Sequence, residues 1–255
     1  MSSETRMGFF SAALAYTLWG FLPLYFRLLD GTDPITILAH RILWSVPTAV
    51  LLVAAARSGG EVRDVLQKPK RVGWLILSAV MIAANWAIYI WAVSQQRVLE
   101  ASLGYFINPL ISFLFASVFF SERFTPIQIG ALVLATLGVL NQTLVVGEFP
   151  WVALSLAGAF ALYGVIRKQV AVSSRVGFLI EAAALAPAAL LYLAFWLPAG
   201  APSFGVTSGG HLALLALAGP MTATPLILFA IGARRLRLST IALLQFIAPS
   251  IQFAL

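Results

Sequence analysis

Apolar residues cluster along the chain into nine long segments separated by short, more polar connections. A helix needs about 20 mainly apolar residues to cross the hydrocarbon core of a bilayer. The segments lie near residues 8–27, 35–56, 72–94, 100–121, 126–146, 150–167, 177–198, 211–233 and 238–255. The short connections leave no room for a soluble domain. The pattern therefore predicts an all-α membrane protein folded as a compact helical bundle.

Composition supports this prediction and excludes several kinds of site. The chain is 61% hydrophobic and 10% charged, whereas soluble domains average about 45–50% apolar and about 25% charged residues. With no cysteine, the protein has no disulfides, thiolate metal ligands or cysteine nucleophiles. The sequence lacks catalytic and phosphate-binding motifs. We therefore predict a protein that is not an enzyme and that needs no metal or other cofactor.

The basic residues predict an orientation. The net charge is +7, and 13 of the 16 Lys and Arg residues lie in alternate connections, whereas Arg27, Arg41 and Arg97 do not. Connections rich in Lys and Arg face the cytoplasm. This asymmetry predicts a multi-pass protein of the cytoplasmic membrane with a cytoplasmic N-terminus. It also explains the positive charge without nucleic acid as a partner.

The two halves of the chain resemble each other at a shift of 140 residues. "ASLGYFINPLISF" (101–113) aligns with "IALLQFIAPSIQF" (241–253), and Pro47 aligns with Pro187. Chance similarity between apolar helices is the alternative. Five spans per repeat is an odd number, so the second copy would enter the bilayer inverted, as in many secondary transporters. We predict repeats over residues 1–146 and 147–255 of a ten-helix (5+5) bundle. This chain would hold nine of its spans, because the counterpart of span five would lie near 266–286.

Arg41 and Glu181 are the two clearest charges within predicted spans, and the repeat relates them. At about 1.5 Å per residue, each lies roughly 10 Å from its own membrane face. A direct salt bridge would therefore need tilted helices. Alternatively, each guards one end of a central cavity, where Arg41 holds a substrate carboxylate and Glu181 titrates as a coupling site. A third interpretation is that both snorkel towards the interface or bond free carbonyls.

Polar and aromatic residues near mid-span form a second candidate set for substrate binding: Trp19, Asn85, Trp86, Tyr89, Tyr105, Asn108, Tyr163 and Gln245. Tyr105 and Gln245 each precede a proline by four residues. Proline frees a carbonyl one turn back, so such side chains either satisfy freed backbone or line a site. His40 is expected to be structural, since neighbours on a helix point about 100° apart. The small residues of "GALVLATLG" (130–138) predict close helix packing.

Several stretches carry a resemblance to a known family: "AHRILWS" (39–45), "NWAIYIWAV" (85–93), "LEASLGYFINPL" (99–110), "SERF" (121–124), "ALYGVIRK" (161–168) and "RLRLSTIALLQFIAP" (235–249). With these, the chain resembles the EamA-type branch of the drug/metabolite transporter superfamily, and within it the RarD-like group. The resemblance covers essentially the whole chain. It implies a ten-helix fold, a cytoplasmic-membrane location, and export or exchange of small molecules, without naming a substrate.

Taken together, these patterns predict a secondary transporter that moves small organic metabolites or drug-like molecules by alternating access. The alternative is a non-transporting membrane protein, either a helical scaffold or an intramembrane enzyme without a recognisable motif. The expected partners are a small-molecule substrate and the lipid bilayer. The protein is expected to be a monomer or a homodimer.

Overall fold

The computed structural model describes residues 2–147 and 149–255. Its α-helices are α1 (Ser3–Arg27), α2 (Pro34–Ala55), α3 (Gly59–Leu66), α4 (Pro69–Ser94), α5 (Val98–Phe120), α6 (Pro126–Val146), α7 (Trp151–Gln169), α8 (Ser174–Phe195), α9 (Gly209–Arg235), α10 (Leu238–Leu244) and α11 (Ile247–Ala254). One 3-10 turn, Ser203–Gly205, precedes α9. No strand occurs within these two ranges. The all-α prediction is confirmed.

The first eight predicted spans correspond to helices that are long and apolar enough to cross a membrane, α1, α2 and α4 to α9. The ninth predicted span is instead two short helices, α10 and α11, joined at Gln245 and Phe246. A count of nine membrane-length helices is therefore not found in the described part of the chain. The connection over 57–71, predicted as a loop, contains the short helix α3.

Pro249 accounts for the position of the break. Proline has no N–H, and its ring crowds the carbonyl four residues earlier, which is that of Gln245. The chain turns at Gln245 and Phe246 before α11 begins at Ile247. Pro109 occupies the related position in α5 yet leaves that helix continuous. Proline therefore permits the break, and the packing around α10 and α11 decides that it forms.

Several helices begin at residues whose side chains cap the first turn. Ser2, Asp33, Ser173 and Ser208 each accept a hydrogen bond from a backbone N–H three residues later. Thr125 forms a reciprocal capping box at the start of α6. Such caps satisfy N–H groups that have no partner within the helix. They explain why the helices begin where polar residues interrupt the apolar pattern.

The bundle packs helices from both predicted repeats together. α1 contacts α9 and α11, α2 contacts α8 and α9, α4 contacts α7 and α8, and α5 contacts α7 and α10. Glycine allows close approach at two of these contacts. A Cβ on Gly232 would lie 2.7 Å from Ala12 Cβ, and one on Gly219 would lie 2.3 Å from the Trp44 carbonyl oxygen. The core therefore lies where α9 meets α1 and α2.

The prediction of close packing at 130–138 is wrong. A Cβ added at Gly130 or Gly138 would meet nothing within 4 Å. These residues lie on α6, which contacts α5 at the edge of the bundle and leaves its most apolar 18-residue window unburied. Small residues allow close approach only where a second helix is present. Here the close contacts form on α9 instead.

We name the two ends of the bundle after a carboxylate residue at each: Asp30, in the connection between α1 and α2, and Glu122, in the connection between α5 and α6. At the Asp30 end, α1 finishes and α2 begins, and Tyr192 Oη of α8 donates to Asp33 Oδ2 at 2.8 Å. At the Glu122 end, α5 finishes and α6 begins, and the N–H of Leu238 donates to Glu122 Oε1 at 2.7 Å. These ends lie on opposite sides of the membrane-spanning bundle.

Candidate functional site

One large cavity of about 540 Å³ lies inside the bundle. Its walls come from the C-terminal half of α1, the start of α2, the second half of α4, the first halves of α5 and α7, and the region around the α10–α11 break. All of these segments belong to the half of the bundle nearer the Asp30 end. The cavity therefore extends from that end to the middle of the bundle and stops short of the Glu122 end.

Arg41 supplies a positive charge to this cavity. Its Nε donates to Thr222 Oγ1 on α9 at 3.1 Å. Its guanidinium carbon lies 4.7 Å from the centroid of the Trp86 ring and 5.5 Å from that of Phe26. The described residues include no carboxylate in ion-pair contact with Arg41 and no hydrogen-bond partner for its terminal nitrogens. Protein contacts therefore fix the orientation of the guanidinium, and the N–H groups on its two terminal nitrogens remain available.

Most of the predicted site residues meet at this cavity. The eight that line it are Trp19, Arg41, Asn85, Trp86, Tyr89, Tyr105, Asn108 and Gln245. They come from four helices, α1, α2, α4 and α5, and from the break after α10, so no single segment of sequence brings them together. The aromatic rings form neighbouring walls, with Tyr89 and Tyr105 centroids 6.1 Å apart. Asn85 Nδ2 donates to the Leu156 carbonyl at 2.8 Å, which links α4 to α7.

Glu181 and Tyr163 do not line the cavity. Glu181 is 3% exposed, and its Oε1 lies 3.3 Å from Nη1 of Arg167. Ser78 Oγ also donates to that oxygen. Tyr163 is buried and stacks on Phe229 at 5.7 Å between ring centroids. Among the described residues, Glu181 neither forms a salt bridge with Arg41 nor lies at one end of the cavity, because Arg167 is its partner.

Arg167 is a buried charge that the sequence reasoning missed. It is 1% exposed, and its Nη2 donates to the Ser174 carbonyl at 3.3 Å. Gly177 leaves room for the Arg167 side chain, because a Cβ atom at position 177 would lie only 2.0 Å from Arg167 Nη1. Counting basic residues assigned Arg167 to a connection, because it occupies the last turn of α7 beside Lys168. The only signal in the sequence is a glycine one turn before Glu181.

Further lining residues were also missed, notably Tyr16, Phe26, Phe160 and Gln252. The Gln252 amide donates to a carbonyl that a proline leaves without its helical hydrogen bond. Pro23 leaves the carbonyl of Trp19 without its helical donor, and Gln252 Nε2 donates to that carbonyl at 3.1 Å. The expectation that an amide can satisfy a freed carbonyl therefore applies to this residue. His40 lies outside the lining and contacts the Phe204 carbonyl through Nε2 at 2.9 Å.

The Glu122 end is tied together by contacts between distant connections. Glu122 accepts from the N–H groups of Leu238 and Ser239 and from Ser239 Oγ, at 2.7, 3.1 and 2.6 Å, so it caps α10. On α3, Glu61 accepts from the N–H of Ser173 at 2.6 Å, just before α8. Lys168 Nζ donates to the Leu236 carbonyl. Two carboxylates from one half of the chain thus bind helix starts in the other half.

Glu122 lies in a connection outside the spans, and its surroundings shift its acidity. Burial alone would raise the pKa of Glu122. Hydrogen bonds from Ser239 and Leu238, together with the charge of Lys168, outweigh that effect and hold the pKa below its ordinary value. The carboxylate is therefore ionised in the state that caps α10. A negative charge is also favoured at a helix N-terminus by the helix dipole.

Comparison with known proteins agrees with this architecture. The profile of the EamA-like transporter family matches residues 6–142, which is more than half of the chain. The chain belongs to the EamA-like transporter family. It is 41% identical over 254 residues to protein RarD of Salmonella typhi, covering 100% of this chain and 86% of that protein. The RarD of Escherichia coli K12 is 40% identical, with the same coverage.

A further relative also carries a transporter name, and a solved structure shares the fold. The uncharacterised transporter YojE of Bacillus subtilis is 41% identical over 98% of this chain and 84% of its own length. A crystal structure of a protein 22% identical to this chain covers 99% of it, and 87% of that protein, with a TM-score of 0.74. That likeness concerns the fold alone. The chain is a RarD-like, multi-pass membrane transporter, and the relatives named above are bacterial.

Proposed function

We propose that this EamA-like protein is a secondary transporter that moves small organic molecules by alternating access, with the cavity as its substrate site. One observation carries the proposal. The cavity reaches the middle of the bundle from one end only and contains an arginine without a carboxylate partner among the described residues. Secondary transporters bind substrate near the midplane, at a site that opens to each side in turn.

The closed Glu122 end supports this proposal. Glu61 and Glu122 hold connections together there, across the predicted repeat boundary. A bundle open at one end and tied at the other has the arrangement expected for one end state of alternating access. In the opposite state those contacts would break and the Asp30 end would close. With the predicted cytoplasmic N-terminus, the present state opens outward.

Arg41 is proposed to hold an anionic group of the substrate. A charge inside the membrane is costly and usually faces a cavity or a partner. Arg41 faces the cavity, with its outer N–H groups available. Glu181 receives a different role in this proposal. Because Arg167 and Ser78 occupy its carboxylate, Glu181 holds α7, α8 and α4 together rather than contacting the substrate.

Cysteine accessibility tests alternating access directly, since the chain has no cysteine of its own. Leu22→Cys reports on the cavity wall, and Ile241→Cys reports on the closed end, where Ile241 is fully buried. Leu134→Cys, on the exposed face of α6, is the lipid-facing control. Each variant is reconstituted, treated with an impermeant thiol reagent from either side, and assayed alongside flux of labelled organic acids.

We expect Leu22→Cys to react from the Asp30 side. We expect Ile241→Cys to react from the opposite side only in molecules that turn over, while Leu134→Cys stays unreactive. Reactivity that remains one-sided under every condition, together with no flux of any compound, would contradict the transporter proposal.

A further inference from the structure

Two kinds of polar group in the interior of the cavity define what could bind, whereas the exposed Arg27 and Asp30 line its mouth. The first is the guanidinium of Arg41. Thr222 and the rings of Trp86 and Phe26 fix its orientation. Its two terminal nitrogens have no hydrogen-bond acceptor in the described residues. A planar pair of N–H donors matches a carboxylate better than a single-atom anion. The Arg41 guanidinium is therefore suited to bind a carboxylate group of the ligand.

The second kind of group is a set of hydrogen-bonding atoms without partners. Asn108 Oδ1, Gln245 Oε1 and Tyr16 Oη are buried and none makes a hydrogen bond of good geometry in the described structure, although the Tyr16 hydroxyl lies near the Gln245 side chain. All three residues line the cavity. Asn108 and Gln245 are 9% and 5% exposed, so neither reaches bulk water. A buried acceptor without a donor is unfavourable, and a ligand O–H or N–H group would satisfy it.

Aromatic rings separate these two sets of polar groups from the rest of the bundle. Trp19 contacts Phe160 edge to face at 5.7 Å between centroids. Tyr89 and Tyr105 meet at 6.1 Å. Rings favour flat apolar ligands through offset and edge contacts. The volume of about 540 Å³ falls within the range of about 300–1,000 Å³ that small-molecule sites occupy.

We infer that the substrate is a small aromatic carboxylate that also carries a hydroxyl group and has no ammonium group beside its carboxylate. The inference rests on the proposed transport function. In this assignment the carboxylate binds Arg41, the ring lies between the aromatic walls, and the hydroxyl donates to Asn108 or Gln245.

The exclusion of an α-ammonium group follows from the charges around Arg41. In an α-amino acid the ammonium is one carbon away from the carboxylate. Binding at Arg41 would therefore place it beside the guanidinium. Within the described lining, Asp30 is the only carboxylate, and it lies at the mouth of the cavity. An α-ammonium group that leaves water at this position would have no protein carboxylate to pair with, which is unfavourable.

Four matched probes test this assignment on the purified 255-residue chain in lipid nanodiscs. They are 3-(4-hydroxyphenyl)propanoate, 3-phenylpropanoate without the hydroxyl, 3-(4-hydroxyphenyl)propanamide without the charge, and tyrosine with the added ammonium. Binding is measured by calorimetry. We expect the hydroxy acid to bind tightest, with the other three weaker by about tenfold or more. The first two of these lose a hydrogen bond or the charge contact, and tyrosine adds an ammonium that has no partner there.

Variants assign each preference to its residue. Arg41→Gln should remove the preference for the acid over the amide. Asn108→Leu combined with Gln245→Leu should remove the preference for the hydroxylated acid over 3-phenylpropanoate. Arg175→Gln removes an equal charge from an exposed position and should leave all four affinities unchanged.

Tyrosine or the amide binding as tightly as the hydroxy acid would overturn the substrate class, and so would binding of none of the four probes. Neither outcome would affect the transport proposal, which is decided by the change of side in cysteine labelling. If cysteine labelling shows no change of side but the four probes keep the expected order of affinity, the protein would bind this ligand class without transporting it.

Discussion

Arg41 and Arg167 are two arginines inside the same bundle, yet their surroundings differ. Arg167 is 1% exposed and lies 3.3 Å from Glu181, in the half of the bundle tied at the Glu122 end. Arg41 lies in the opposite half and reaches an open cavity without a carboxylate partner among the described residues. The protein supplies the counter-charge of Arg167, whereas Arg41 is, in our proposal, available to a ligand.

This difference shows that a charged residue in a span does not reveal its role by itself. A buried ion pair mainly affects the stability of the helices it joins, since removing one partner strands the other charge. A charge that borders a cavity contributes to binding, because its outer hydrogen bonds form only when a ligand is present. The role depends on the neighbours that the fold supplies.

The largest expected effect is on stability, from disrupting the buried pair. Arg167→Met leaves Glu181 ionisable, buried and without its counter-charge, so we expect a loss of about 3–5 kcal/mol in the free energy of unfolding. Denaturant unfolding in mild detergent, followed by tryptophan fluorescence, measures it. The double variant Arg167→Met with Glu181→Met should lose much less, because no charge is stranded. Equal losses in the two variants would show that the pair is not the source of the effect.

The next effect is on transport, from removing the charge that faces the cavity. Arg41→Ala should lower flux of the substrate about tenfold or more, since hydrogen bonds to a charged group are worth about 1.5–3 kcal/mol. Its unfolding free energy should fall much less than that of Arg167→Met, because no charge is stranded. Arg41→Lys should retain part of the flux, since an ammonium lacks the planar fork. Flux close to that of the parent protein in Arg41→Ala would remove Arg41 from the binding site.

A smaller effect is expected from the tie at the Glu122 end. Glu122→Gln should destabilise the protein by about 1 kcal/mol, as loss of a helix cap usually does. The folded-state pKa of Glu122 lies below its ordinary value of 4.5. Its contribution is therefore fully present above about pH 4.5 and is lost as pH falls through the depressed pKa. Thermal unfolding across pH 3–7 should show this loss in the parent protein but not in Glu122→Gln.

The smallest effect concerns the residue that orients Arg41. Thr222→Val keeps the size of the side chain but removes the oxygen that accepts from Arg41 Nε. We expect apparent substrate affinity to fall about fivefold, the worth of one ordinary hydrogen bond. The matched control is Thr136→Val on α6, where the hydroxyl donates only to the Leu132 carbonyl of its own helix. A similar change in both variants would indicate a general effect of removing a hydroxyl.

Much of the site could be predicted because mid-span polar residues are rare. Residues such as Asn108 and Gln245 are costly in an apolar helix unless something satisfies them, so their presence marked the walls of a cavity. Tyr163 was predicted by the same argument but packs against Phe229 instead. A tyrosine is large enough to pack as an apolar residue, so its type alone does not distinguish the two roles.

The sequence by itself determined the membrane class, the positions of the first eight spans and the family. These follow from runs of about 20 apolar residues, which are stable as helices only in a bilayer, and from local motifs such as "LEASLGYFINPL". The tertiary structure alone decided that Glu181 pairs with Arg167 and that the last apolar segment breaks at Gln245. It also decided that the close helix contacts lie on α9 rather than α6. The physical reason is that each of these depends on which surface of another helix comes within a few ångströms, and periodicity along one segment carries no information about that approach.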